Sequence, residues 1–396
     1  CSRDWSSDVC SSDLLFSVTP MLASQGMAAT PDALVLAASA FVFVALTKVQ
    51  RSRNAWWWLA VGFFAGVGLL AKYTTFFLGA GILGWLVFSR DQRRWLATPW
   101  PFLGAALALA MFIPVVLWNA EHGWSSFALQ FGRVGSGALT VRYFGDFFVG
   151  QLVLATPFIL VLAGTGFAGS WRTAQTPFVL PASLLIPAIG YFLVHALHAE
   201  VQGNWPSFAY PMLASLAAQA FAISSAPRAS IVRRVTAHAA IPFAMLSLTA
   251  IYLQAAFDLV PLGLADPINH LTAVGFQPVA RQVELRCESS RASGVLTTSY
   301  AAAAWLKFYK AGGCPAVAFG DDFRWSFVMP ARSEFMGGRF LYVTQERNDR
   351  AAIIRQSFSQ VTLLERIPRM RGGEVLEWFN VYDVSGFRGV GNGRVL

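Results

Sequence analysis

The stretch AWWWLAVGFFAGVGLLAKYTTFFLGAGILGWLVF, residues 55–88, carries one charge, Lys72, in 34 residues. Neither half alternates apolar with polar residues as a half-buried strand would, and each half approaches the roughly 20 apolar residues that cross a bilayer. The stretch therefore reads as two spans, 55–71 and 73–89, turning at a single lysine. Trp56, Trp57 and Trp58 open it, at the headgroup level that indole rings favour. An antiparallel pair of this kind cannot stand alone in a soluble protein, so it sets the class of the whole chain.

Working outward, composition agrees. Of 396 residues, 55% are hydrophobic and 13% charged, against about 25% charged in soluble domains. From Leu15 to Ala256 there are 13 Lys/Arg and 5 Asp/Glu; from Phe257 to Leu396 there are 16 and 13. A membrane region, 15–256, thus precedes a polar domain, 257–396. Residues 1–14, CSRDWSSDVCSSDL, have neither the basic start nor the apolar core of a signal peptide. They read as a frameshift or adapter-derived scar on a chain that lacks its natural beginning, or as a genuine short polar tail. Hydropathy predicts about nine spans, near 15–30, 33–49, 55–71, 73–89, 97–118, 144–167, 177–197, 206–225 and 235–256. The fold class expected is a polytopic α-helical membrane protein with a small C-terminal α/β domain.

The charges orient it. Lys48, Arg51, Arg53, Arg90, Arg93, Arg94, Arg172, Arg228, Arg233 and Arg234 alternate with the spans onto one face, which the positive-inside rule makes cytoplasmic. The net charge of +9 is consequently a topology signal, and no nucleic-acid partner is implied. Asp32, Glu121, Asp146, Glu200, His122, His195 and His198 fall on the opposite face, joined by Lys72, Arg133 and Arg142. Ionisable groups at membrane depth are costly and usually functional.

Each has two readings. Asp32 begins a span and complements its dipole, or serves a site. Lys72 snorkels to headgroups, or binds a phosphate. Trp118-Asn119-Ala120-Glu121-His122-Gly123-Trp124, continuing to Arg133 and Arg142, forms an interfacial segment or a loop over a sugar, with Arg133 the better phosphate ligand. Asn204, Trp205 and Tyr210 lie in a third outer loop. His195, His198 and Glu200 invite a metal, yet lack an HExxH-like pattern, and a hydrogen-bonded polar loop explains them. No metal site is assigned, no cofactor fingerprint is present, and a divalent cation is left open.

Four segments in this order, Thr30-Pro31-Asp32-Ala33-Leu34, Gly68-Leu69-Leu70-Ala71-Lys72-Tyr73-Thr74, Trp118 to Trp124, and Gly203-Asn204-Trp205-Pro206 with Ala209-Tyr210-Pro211, resemble glycosyltransferase family 39. This is the GT-C or dolichyl-phosphate-mannose–protein mannosyltransferase-like group, and within it the lipid A aminoarabinose and lipopolysaccharide-core galacturonic acid transferases are most similar. The resemblance covers about 15–256. It implies a polyprenyl-phosphate-sugar donor, a lipid or glycan acceptor on the periplasmic side of the inner membrane, surrounding membrane lipids as partners, and inversion at the anomeric carbon. It also implies Lys72 and Arg133 on the donor phosphate, Asp32 as an assisting catalytic acid, and Glu121, His122, Trp124, Asn204, Trp205 and Tyr210 as substrate-loop residues. The principal acid of the family precedes the matching region, so the resemblance implies an active parent and an inactive copy here. Two other classes compete. A lipid-linked oligosaccharide transporter or flippase would place charges at midplanes and show an inverted repeat. A membrane-anchored binding scaffold would leave Lys72 without a task.

The C-terminal region alternates signals: helices at 276–288, 300–310 and 349–358, strands at 294–298, 315–319, 339–344, 361–366 and 374–382. Asp321 and Asp322 read as a solvated turn rather than a metal site. Cys287 and Cys314 either pair, as an outer compartment permits, or stay free.

Overall fold

The computed structural model describes residues 6–27, 30–132, 139–173, 176–225, 229–309, 312–319 and 337–389. Arg133, Arg228, Asp321 and Asp322 lie outside them. The chain divides into two compact units, Cys1–Tyr252 and Leu253–Leu396.

The first unit is helical: α1 (Ser6–Ser17), α2 (Pro20–Met27), α3 (Pro31–Ser52), α4 (Trp57–Ala71), α5 (Phe76–Phe88), α6 (Trp100–Glu121), α7 (Ser125–Phe131), α8 (Arg142–Ala155), α9 (Pro157–Thr173), α10 (Thr176–Ala196), α11 (Tyr210–Ser224) and α12 (Ile231–Phe257), whose last turn enters the second unit. Among the described residues five helices are long and apolar enough to cross a bilayer: α3, α6, α12, and the segments Val179–Ala196 and Ser207–Ser224. α4 and the segment Tyr73–Phe88 are apolar but shorter.

Two expected spans are revised. The segment 144–167 is not one helix: α8 and α9 meet at a bend of 102°. The break falls at Thr156, held at φ 68°, immediately before Pro157, whose ring disfavours helical backbone in the residue ahead of it. The segment 15–30 is likewise divided at Thr19 into the end of α1 and the short α2.

Close helix crossings set the packing. A Cβ on Gly62 of α4 would lie 2.2 Å from the carbonyl oxygen of Gly104 in α6, and one on Gly66 would lie 2.5 Å from Met111 Sδ. Small residues four apart let two backbones approach inside a membrane, where packing rather than water exclusion drives association. Trp58, Trp85 and Trp95 are buried in one apolar cluster with Leu78, Leu184 and Met212.

The second unit continues with α13 (Pro267–Leu271), α14 (Phe276–Ser289), β1 (Gly294–Thr297), α15 (Tyr300–Tyr309), β2 (Ala316–Ala318), β3 (Arg339–Gln345), α16 (Ala351–Ser357), β4 (Phe358–Arg371) and β5 (Glu374–Phe387). The sheet order is β2-β1-β3-β5-β4. The first three strands are parallel, and β5 runs antiparallel to both β3 and β4. Successive residues of β3 face opposite sides. Leu341 and Val343 pack under Phe276, Val279 and Val283 of α14. Phe340 and Tyr342 pack with Ile354 of α16 and with Phe358. Cys287 and Cys314 form a disulfide, with Cα atoms 6.5 Å apart, which answers the question the sequence left open.

Candidate active site

Three stretches far apart in sequence meet at one end of the helical unit. Pro31 starts α3 with its φ already suited to a helix and no amide proton to satisfy, and this places Asp32 in the first turn. There the carboxylate also meets the positive end of the helix dipole. α4 terminates at Lys72, whose backbone is extended (φ −161°) before a one-turn 3-10 helix, Tyr73–Thr75, leads into α5. The third stretch is the turn Gly203-Asn204-Trp205-Pro206 ahead of α11.

Lys72 Nζ donates to Asp32 Oδ1 at 2.6 Å, and Asn204 Nδ2 donates to Asp32 Oδ2 at 3.1 Å. Each carboxylate oxygen is therefore engaged. Asp32 itself is buried. The Lys72 ammonium also stands 5.9 Å from the centroid of the Trp205 ring, within reach of a cation–π attraction. Trp205 in turn lies against His195, at 5.8 Å between centroids, and Tyr191 stacks on the same imidazole at 5.6 Å.

Two supporting networks were not foreseen from the sequence. Gln151 of α8 donates to the Gly203 carbonyl at 3.0 Å and accepts from the Tyr210 hydroxyl at 2.9 Å. It thereby pins the turn that presents Asn204. The signal was available: a neutral amide in an otherwise apolar half-helix. The second network surrounds Asn119, which is fully buried. Its Oδ1 accepts from the Ser126 amide at 3.2 Å and hydroxyl at 2.6 Å, and its Nδ2 donates to the Val115 carbonyl at 2.8 Å and the Tyr73 hydroxyl at 3.4 Å. The hydroxyls of Tyr73 and Ser126 are 2.6 Å apart. The residue next to Lys72 is thus fastened to the segment that opens α7.

Other expected site residues sit elsewhere. Glu121 and His122 are exposed at the end of α6, and His122 turns back on its own helix, stacked 4.2 Å from Trp118 with Nδ1 2.8 Å from the Trp118 carbonyl. Trp124, in the left-handed conformation at φ 56°, stacks 5.7 Å from Phe127. Arg133 lies outside the described residues. Tyr210 contributes through Gln151 rather than directly. Among the described residues, no three His, Cys, Asp or Glu side chains gather closely enough to hold a metal ion.

A second feature adjoins Lys72. An apolar cavity of about 290 Å³ runs between α4, α5 and α6, lined by Leu69, Thr75, Gly79, Leu83, Ala108 and neighbours, with Trp58 and Leu96 toward its far end. The flanking residues Leu69 and Thr75 bring its near end to the Lys72 turn, since Thr75 donates its amide to the Lys72 carbonyl at 3.2 Å.

A multi-helix membrane unit with a paired lysine at one end and a small separate sheet unit define a polytopic membrane protein of a recognisable architecture. Residues 8–118, which contain both Asp32 and Lys72, match the model of the family described as dolichyl-phosphate-mannose-protein mannosyltransferase. Among solved structures, the crystal structure of ArnT from Cupriavidus metallidurans bound to undecaprenyl phosphate shares the fold, with a TM-score of 0.61 at 12% sequence identity over 98% of this chain and 80% of that one. No curated protein sequence matches the chain. Both matches accord with the resemblance expected from the four motifs.

Proposed function

We propose that this protein is of the class of membrane glycosyltransferases that move a sugar from a polyprenyl-phosphate donor to an acceptor at the non-cytoplasmic face, and that this copy binds the donor but is inactive in transfer. The acceptor is lipid A, lipopolysaccharide core or another cell-envelope glycan. The observation that carries the proposal is the convergence of Asp32, Lys72, Asn204 and Trp205. An ammonium held at the end of a membrane helix, beside an aromatic ring, is suited to a lipid phosphate.

The leaving group of such a reaction is that phosphate, and a fixed cation lowers its energy as negative charge develops. Lys72 supplies the cation. Asp32 and Asn204 act as positioning residues, aiming the ammonium through a shared carboxylate. The apolar cavity between α4, α5 and α6 receives the isoprenoid chain next to the phosphate. Its depth is reasonable: α4 has 15 residues, about 22 Å at 1.5 Å per residue, against a hydrocarbon core of about 30 Å. With Trp56 and Trp57 at one interface, Lys72 stands about 8 Å inside the other boundary of the core, so the site draws the lipid phosphate below its headgroup layer. The ArnT structure was obtained with undecaprenyl phosphate bound, which supports this ligand class for the present chain. Arg133 joins Lys72 as a second phosphate contact in this reading, and transfer inverts the anomeric centre.

The orientation rests on the sequence positions of the basic residues in alternate loops, which the positive-inside rule assigns to the cytoplasm of a bacterial cell. The C-terminal unit is then periplasmic, and the Cys287–Cys314 disulfide fits an oxidising compartment. A transporter fits less well, because the charges stand at span ends rather than at midplane.

The test is titration of the purified chain in detergent with undecaprenyl phosphate. Lys72→Ala is expected to weaken binding roughly 10-fold to 100-fold, the worth of one charge-assisted hydrogen bond of about 1.5–3 kcal/mol. Equal affinity of wild type and variant would remove Lys72 from the phosphate site. Transfer of label from a polyprenyl-phosphate sugar to lipopolysaccharide acceptors then separates transfer from binding alone.

A further inference from the structure

The helical unit holds a second cavity, at the end of α11 away from the candidate site. α11 begins at Tyr210, which is tied through Gln151 to the turn that presents Asn204. Its 15 residues carry the chain about 22 Å at 1.5 Å per residue. At that far end a cavity of about 480 Å³ opens between α9, α11 and α12, lined by Val161, Gly164, Thr165, Ile223, Ser224 and Arg233 among others. Its volume falls within the roughly 300–1,000 Å³ of small-molecule sites. α9 and α11 cross closely beside it, where a Cβ on Gly166 would lie 2.3 Å from the Leu216 carbonyl oxygen. A Cβ on Gly164 would instead meet nothing within 4 Å, so there the missing side chain leaves open space.

The polar groups of the lining point to an anion. Arg233 stands in the first turn of α12 and is exposed. Among the described residues its guanidinium makes no hydrogen bond or ion pair. Ser224 is 2% exposed, and its hydroxyl likewise has no partner among the described residues. Thr165 donates its hydroxyl proton to the Val161 carbonyl of its own helix at 2.8 Å. Ser225 and Arg234, next in sequence to two of the lining residues, hold a buried Oγ and a buried Nε without hydrogen-bond partners. No Asp or Glu is among the described residues that line the cavity. The arginine is therefore not half of an ion pair there, and the positive end of α12 adds to its charge. An arginine that merely snorkels to water would need neither the cavity nor the buried hydroxyl.

We propose that this cavity binds a phosphate group, supplied by the head of an anionic phospholipid seated between α9, α11 and α12. The guanidinium takes two phosphate oxygens in the bidentate geometry that suits it. Ser224 donates a further hydrogen bond, and Val161 and Ile223 meet the carbon chain that follows the phosphate. Basic pockets between membrane helices hold lipid head groups in this way. Free phosphate presents the same oxygens without the carbon chains. The site shares no residue with Lys72, Asp32 or Asn204, and the inference does not rest on any sugar donor.

The experiment is calorimetric titration of the full chain, stripped of lipid in detergent, with dioctanoyl phosphatidic acid, dioctanoyl phosphatidylcholine and inorganic phosphate. Every sample carries Lys72→Ala, so that the ammonium beside Asp32 does not contribute. Phosphatidic acid is expected to bind, and phosphatidylcholine, whose phosphate is already neutralised by choline, to bind at least about 10-fold more weakly. Adding Arg233→Gln, at an exposed position, should weaken phosphatidic acid about 10-fold to 100-fold, as loss of a charge-assisted contact does. Gly164→Leu should weaken it similarly by filling the cavity. Lys48→Gln removes an exposed cation that does not line the cavity and should leave the affinity unchanged. If inorganic phosphate binds as tightly as the lipid and also loses affinity in Arg233→Gln and Gly164→Leu, the phosphate site stands with a soluble occupant. Absence of binding by either phosphate source would overturn the proposal. So would equal losses in Arg233→Gln and Lys48→Gln, which would mean general attraction to a basic surface. Full affinity in Gly164→Leu would place the anion outside the cavity and overturn it as well.

Discussion

Breaking the Asp32–Lys72 pair from its two sides should not be symmetrical, and the asymmetry follows from burial. The Asp32 side chain is 9% exposed and that of Lys72 27%. Lys72→Met removes the cation and strands a buried carboxylate with Asn204 as its remaining bonded neighbour at 3.1 Å. Removal of one partner of a buried pair costs about 3–5 kcal/mol, because the other charge is left uncompensated. The partial opening of the lysine to solvent places this case at the lower end, about 3 kcal/mol. Asp32→Asn instead leaves a lysine that keeps a neutral oxygen acceptor and can extend its flexible stem toward water. That variant should lose only about 1 kcal/mol, the net worth of an ordinary hydrogen bond. At about 2–4 °C per kcal/mol for a unit of this size, the melting temperature falls about 6–12 °C for Lys72→Met and about 2–4 °C for Asp32→Asn. The double variant, which carries neither charge, should melt above Lys72→Met alone, since the stranded carboxylate is gone. The assay is thermal unfolding in detergent followed by tryptophan fluorescence. Equal losses in the two single variants, or strictly additive loss in the double, would refute the argument that a buried carboxylate depends on this lysine.

Three further outcomes are expected. Gly62→Leu should disrupt the α4–α6 crossing, because its Cβ would lie 2.2 Å from backbone; overpacking of this kind costs about 1–3 kcal/mol or more, and unfolding in detergent reads it. Gly79→Leu, whose Cβ meets nothing within 4 Å, should leave stability intact but weaken undecaprenyl phosphate binding by filling the cavity it lines; unchanged affinity would place the lipid chain elsewhere. Tyr382 is pushed up to about 12 by burial and then by its hydrogen bond to Asp349 and the charge of that carboxylate. The unfolded chain therefore releases this proton first, near pH 10, and the stability of the C-terminal unit should fall as pH rises from 10 through 12; Tyr382→Phe should flatten that part of the profile in denaturant titrations, and an unaltered slope would sink the assignment.

Legibility differed between the two units. In the C-terminal one, local signals located most elements, as with the helical spacing of Phe276, Val279, Ala280 and Val283, all buried on one side of the sheet, but β4 runs Phe358–Arg371 where the sequence predicts a strand only at 361–366. In the membrane unit hydropathy located apolar segments but not their breaks. Thr156 and Pro157 sit inside a continuous apolar run, so a 20-residue average passes over a bend that backbone sterics impose. The candidate site divided along similar lines. Asp32, Lys72, Asn204 and Trp205 were legible as rare polar groups at the same ends of different spans. Glu121 and His122 belonged to the same face yet remain on an exposed turn, because sharing a face does not specify rotation about a helix axis. Gln151 went unnoticed and Asn119 was read only as part of its motif, since an uncharged amide barely changes hydropathy and its value as a clamp depends wholly on what it reaches.

What the sequence by itself determined is a contrast between two regions: an apolar, sparsely charged 15–256 and a charge-rich stretch after it, with most of the basic residues of the first region gathered in alternate loops. These are sums over single residues, and transfer free energy fixes them without reference to neighbours. Only the tertiary structure decided that Lys72 meets Asp32 across 40 positions and that Asn204 meets it across 172. Such meetings depend on how close two helices approach and how each is turned about its axis. Those quantities are set by steric fit at crossings such as Gly62 on Gly104, and a one-dimensional pattern does not contain them.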